Sequence, residues 1–150
     1  MKKTAIENIE VSKLIGEVLG ISFKNEEFSL GNWGDIDNWA QLDDGTLILI
    51  ECEKGQKHPT TNVLKLYPYL DENPNVRIVL FHYFYPENKA PKNRLALCDY
   101  LANKMEQQFA NRFQYISLRC ELNGIEEKLR KQKKGLMQQL LTGKKRLNLN

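Results

Sequence analysis

The chain has 150 residues, 41% of them hydrophobic and 27% charged, with a formal net charge of +3, a balance that fits one soluble globular domain with its own core. No apolar run reaches transmembrane length, and the opening MKKTAIENIE is broken by Glu7 and Glu10, so neither a membrane span nor a signal peptide is read and a cytoplasmic protein is expected. Three widely spaced cysteines, Cys52, Cys98 and Cys120, suggest neither a disulfide framework nor a zinc knuckle.

Residues 4–19 predict a helix. Thr4 and Glu7 have capping-box spacing, Val11, Leu14, Ile15 and Val18 recur at helical intervals, and Gly20 is a natural terminator. The next stretch, ISFKNEEFSL, alternates untidily but is compatible with a strand ahead of the turn Gly31 to Gly34. Trp33 and Trp39 flank the acidic residues Asp35 and Asp37, as core residues or as platforms for a base.

The centre of the chain is DIDNWAQLDDGTLILIECEKGQ, residues 35–56. Leu47, Ile48, Leu49 and Ile50 read as a strand buried on both faces, with IDNWAQL as its hairpin partner across Asp43-Asp44-Gly45. Side chains alternate along a strand, so Glu51 and Glu53 share a face while Cys52 and Lys54 point the other way. The turn folds Asp37 back toward Glu51, gathering three acids around one small volume. Two like charges about 4 Å apart repel by roughly 4 kcal/mol at an effective dielectric near 20. A divalent cation, a protonated acid, or nearby Lys54 and Lys57 would relieve that repulsion. Oxygen ligands without His or Cys favour magnesium or manganese over zinc.

Beyond this strand, GQKHPTTNVLKLYPYL reads as a loop entering a helix, with a kink or early end imposed by Pro68. Gln56, Lys57 and His58 lie between the acidic strand end and that helix start, where backbone N–H groups are available to an anion, which makes them nucleic-acid-binding candidates. VRIVLFHYFY, residues 76–85, is a second buried strand expected to run parallel to the first, with His82 as a hydrogen-bonded core or sheet-edge residue. Pro91 opens a helix whose apolar face is Leu95, Cys98, Leu101, Ala102, Met105 and Phe109, and Phe113 to Leu118 reads as a last strand.

An acid at a strand start, a hydrophobic strand ending in Glu-X-Lys or a variant, and then a helix resemble the PD-(D/E)XK nuclease superfamily. The matching residues are Asp37, Glu51 and Glu53, with Asp35 as the alternative first acid. No Pro precedes Asp37, and Glu53 stands where the family's Lys is customary. The resemblance covers about residues 4–119 and implies an α/β, restriction-endonuclease-like αβββαβ core with a mixed central sheet flanked by helices. It further implies a nuclease hydrolysing DNA phosphodiesters with Mg2+ or Mn2+. Asp37 and Glu51 would hold the metal, aided by the Cys52 carbonyl and by Glu10 from the first helix. Glu53 would bind metal or orient the attacking water, and Lys57 would take over part of the missing Lys role.

The tail carries a second resemblance. Residues 125–147 look like the helical segment ending in KKGLMQQLLTGK of type I restriction-modification specificity subunits. Residues 124–147 hold eight Lys or Arg against two Glu, a balance of +6 that leaves about −3 of the total +3 to residues 1–123. Leu122, Ile125, Leu129 and Leu136 fall on an a/d-like seam, extended by Met137, Leu140 and Leu141. We divide the chain into a nuclease-like domain, 1–121, and a basic amphipathic helix and tail, 122–150. The seam needs a partner surface: this domain, a second copy of the chain, or restriction-modification subunits. Two functions fit these readings, a metal-dependent endonuclease or exonuclease acting on DNA, or an inactive nuclease-fold adaptor docking through its tail.

Overall fold

The computed structural model describes residues 4–132 and opens with α1 (Ile6–Leu19), closed as expected by Gly20 at φ 70°. The Thr4–Glu7 capping box does not form. Ala5 is the N-cap and makes no side-chain cap bond, while Thr4 donates from Oγ1 to the Asp37 carbonyl at 2.6 Å. Thr4 is buried there, and an unmade buried bond costs more than a missing cap facing water.

The expected strand at residues 21–30 pairs only in fragments. Lys24 bridges Trp39, and β1 (Phe28–Ser29) pairs antiparallel with β2 (Asp35–Ile36) around a 3₁₀ turn at Gly31–Trp33. Its irregular alternation cannot line one face continuously, so no long ladder is specified. β3 (Asn38–Gln41) and β4 (Leu47–Glu53) make the expected hairpin. Gly45 takes φ 87° in the turn, and the Thr46 N–H donates to Asp44 Oδ1 at 2.9 Å.

α2 (Thr60–Leu64) and α3 (Leu66–Glu72) are separated at Lys65. Pro68 has no N–H for the Leu64 carbonyl and its ring crowds the preceding turn, which places the break at this point. β5 (Ile78–Phe84), α4 (Lys92–Gln108) and β6 (Phe113–Arg119) complete the core, and residues 125–132 are helical.

The principal sheet has the order β3-β4-β5-β6, antiparallel at the hairpin and parallel from β4 to β6. Both β4 and β5 are buried along their whole length, as their unbroken apolar runs require. Alternate residues feed two layers. Ile48, Ile50, Val79 and Phe81 pack with Val11 and Ile15 of α1 and with Ile125 and Leu129, whereas Leu47, Leu49, Ile78 and Leu80 pack with Val63, Leu66, Cys98 and Met105. The result is a mixed α/β architecture with a helix-flanked central sheet, compatible with a restriction-endonuclease-like core. No helix among the described residues is long and apolar enough to cross a membrane. Leu136, Met137, Leu140 and Leu141 of the tail lie outside the described residues.

Candidate active site

Glu51 and Glu53 end β4 on the face that carries Leu47 and Leu49, so they meet α2 and α3 rather than α1. The antiparallel register pairs Asn38 with Ile50, and its continuation by one residue sets Asp37 across from Glu51. Asp37 is held from two sides: its carbonyl accepts from Thr4, and its Oδ2 accepts the Cys52 N–H at 2.9 Å. The hairpin thus brings these two acids together as the sequence suggests.

The cation beside them is Lys65, not Lys57. Lys65 Nζ, at the break between α2 and α3, donates to Glu51 Oε1, to the Asp35 carbonyl at 2.5 Å and to Asn62 Oδ1 at 3.0 Å. Burial raises the Glu51 carboxyl well above its ordinary range, Lys65 draws it back, and Asp37 pushes it up again. Lys57 is exposed in the loop before α2, and its carbonyl accepts from Arg94 Nη1 at 2.9 Å. The helix after that loop carries the chain back over the strand end, which is why the later lysine reaches the acid.

Glu53 belongs to a separate arm. Its side chain is wholly buried, and Oε1 accepts from Asn62 Nδ2 at 2.5 Å and faces His82 Nε2 at 2.8 Å. His82 Nδ1 lies 2.8 Å from the Tyr115 hydroxyl, and Glu53 Oε2 is buried with no hydrogen-bond partner. His82 is therefore a hydrogen-bonded core residue as expected, and its partner is a site carboxylate.

Glu10 stands apart. α1 packs on the opposite face of the sheet from Glu51 and Glu53, and Glu10 is exposed on it. Gln56 and His58 are exposed in the same loop as Lys57, with Gln56 Oε1 accepting the Lys54 N–H at 3.1 Å and His58 Nε2 lying 3.3 Å from Arg94 Nη1. Asn88 braces the loop by donating to the Gln56 carbonyl at 3.0 Å. Trp33 is 40% exposed and donates to Glu72 at 3.0 Å, whereas Trp39 packs edge-on against Phe28.

Sequence reasoning missed Lys65, Asn62 and Tyr115. A usable signal was present for the first two: Asn62 and Lys65 are polar residues one turn apart within the apolar set Val63, Leu66 and Leu70. Tyr115 gave no comparable signal, because only strand register places its hydroxyl under His82.

The donor chemistry fits a hard divalent cation. Asp37 and Glu51 offer neighbouring carboxylates, and the Cys52 side chain belongs to the other layer, its thiol held protonated chiefly by burial. Among the described residues no group of three or more His, Cys, Asp and Glu side chains is arranged to hold a metal. Magnesium needs only one or two carboxylates when water and phosphate oxygens complete its shell.

No protein-family model and no curated protein matches the chain. Among solved structures it is similar to a repair endonuclease from Pyrococcus abyssi, at 17% identity and a TM-score of 0.39 over 79% of this chain and 50% of that one. It is also similar to the EndoMS–dsDNA2 complex structure, at 16% identity and a TM-score of 0.36 over 78% of this chain and 46% of that one. The chain spans about half the length of each of these proteins.

Proposed function

We propose that the protein is a metal-dependent nuclease that hydrolyses DNA phosphodiesters at the carboxyl end of β4. The observation that carries this reading is the meeting of Lys65 with Glu51, beside Asp37, at the end of a buried strand. An acid pair with an adjacent ammonium is the charge pattern that phosphoryl transfer needs, because the anionic centre must be held and its growing charge balanced. Asp37 and Glu51 would hold Mg2+ or Mn2+ with the Cys52 carbonyl, and such an ion, when bound, polarises a phosphoryl oxygen and lowers the pKa of water.

The chain's own residues supply the rest. Lys65 steadies a phosphate oxygen and limits repulsion between Asp37 and Glu51. Glu53 orients a water for attack on phosphorus. The new oxygen–phosphorus bond forms as the ester bond breaks, the electron pair leaves with the ester oxygen, and solvent exchanges the protons. Gln56, Lys57 and His58, exposed on the braced loop beside the strand end, contact the DNA backbone. The basic tail links the domain to a type I restriction-modification assembly or to a second copy of the chain.

Glu51→Ala tests the site directly. Magnesium- or manganese-dependent cleavage of plasmid DNA should be abolished while circular dichroism shows a folded domain, and undiminished cleavage by that variant removes the mechanism.

A second reading is favoured by the same ion pair, since Lys65 already offsets the Glu51 charge without a cation. In it the domain is an inactive adaptor gripping a partner through residues 122–147. Deletion of 133–150, which leaves the core residues Ile125 and Leu129 in place, separates the two: an adaptor loses its restriction-modification partner in pull-down, whereas a nuclease still cuts naked DNA with manganese.

A further inference from the structure

Asn62 lies on α2 one turn before Lys65, and its amide joins the two arms of the site. Oδ1 faces Lys65 Nζ at 3.0 Å, and Nδ2 faces Glu53 Oε1 at 2.5 Å. An ammonium only donates and a carboxylate only accepts, so a single orientation of this amide satisfies both neighbours.

That orientation fixes the groups beyond it. Glu53 Oε1 takes the amide proton on one lone pair and is left as an acceptor toward His82 Nε2, so the Nε2 position carries a hydrogen. On the other side of the ring the Tyr115 hydroxyl, kept protonated by burial, supplies a donor to Nδ1. One acceptor is then left over: Glu53 Oε2, buried and without a partner in a wholly buried side chain. A buried carboxylate oxygen in that condition calls for an external donor, of which water is the simplest.

We propose that Asn62 is a positioning residue that couples the two arms of the site, holding Lys65 on Glu51 while clamping Glu53 so that only Oε2 faces the attacking water. The inference rests on the nuclease reading and names the residue that sets its geometry. Asn62 touches neither substrate nor metal; it acts through Lys65 and Glu53. Loss of the clamp frees the Glu53 carboxylate to rotate and Lys65 to leave Glu51, so the chemical step suffers and DNA binding does not.

The test uses the full chain, a DNA duplex, and the variants Asn62→Ala and Asn62→Asp. Single-turnover cleavage with Mn2+ should fall by about 100-fold in each, the scale of a misplaced reacting group, while duplex affinity measured without metal stays at the wild-type value. A second measurement needs no activity. Asn62→Asp turns an acceptor toward Glu53 Oε1, and adding Glu53→Gln restores a donor there while His82 moves its hydrogen to Nδ1, facing the Tyr115 oxygen, so the double variant should recover most of the Tm lost by Asn62→Asp, beyond what Glu53→Gln adds alone. Wild-type cleavage rates in both Asn62 variants, a parallel loss of duplex affinity, or strictly additive Tm changes overturn the proposal. Glu51→Ala, run alongside, keeps the two ideas distinct: if it is inactive while the Asn62 variants cleave normally, only the clamp fails. Cleavage retained by Glu51→Ala, or absent from the wild-type chain, removes the nuclease reading and the clamp's water-positioning role with it.

Discussion

Replacing Lys65 with Met keeps the length of the side chain and removes its charge, which isolates the electrostatic part of the site. The variant gives up the ion pair with Glu51 and the bonds to the Asp35 carbonyl and Asn62 Oδ1. Glu51 remains behind with a side chain only 4% exposed, beside Asp37, with no counter-charge. Breaking a buried pair by removing one partner costs about 3–5 kcal/mol, and protonation of the stranded carboxyl limits the loss to the low end of that range. At about 3 kcal/mol the expected fall in Tm for a chain of this size is roughly 6–12 °C at neutral pH.

The loss should depend on pH in a definite direction. The folded-state pKa of Glu51 is raised above its ordinary value of 4.5, so the contribution of this carboxyl is fully present below the unfolded pKa and is lost as pH rises through the folded one. Without Lys65 the folded pKa climbs further, and the unfavourable window widens upward. The Tm gap between wild type and variant should therefore be small near the ordinary carboxylate value of 4.5, where Glu51 is protonated in both folded proteins, and should open as pH rises through the raised folded-state value. Calorimetric melts in chelator across that range measure it. A gap that is flat with pH, or widest in acid, would refute the charge argument.

Other substitutions probe the frame around the site. Gly16→Ala sets a Cβ 2.4 Å from the Ile21 carbonyl oxygen, and overpacking of that kind should cost about 1–3 kcal/mol in urea denaturation despite the better helix propensity of Ala. Tyr115→Phe removes the hydroxyl that meets buried His82 Nδ1, with an expected loss of about 1–3 kcal/mol by the same method; an unchanged midpoint would show that the bond contributes nothing. Burial pushes the Cys98 thiol up to about 12, so near pH 8 it should resist alkylation in the native protein and react once the chain is unfolded. Rapid native labelling at Cys98, read by mass spectrometry, would contradict its place in the core.

The sequence alone determined the scaffold of the site. The unbroken run Leu47–Ile50, the Asp44-Gly45 turn and the spacing of Glu51 and Glu53 specify a buried hairpin strand with two acids on one face. Period-two alternation and the φ demand of the turn are local properties that need no tertiary partner. Tertiary structure decided which polar groups complete it. Lys57 is nearer in sequence to the acids, yet Lys65 reaches Glu51 because Pro68 breaks the helix at that residue and α2 turns back across the sheet. Glu10 was placed on the far face by the packing of Val11 and Ile15, and Thr4 was drawn from its capping role to a buried carbonyl. His82 and Tyr115 met Glu53 only through the parallel register of β4, β5 and β6. A contact between residues far apart in the chain depends on which layers pack and in what register, and no single segment encodes either.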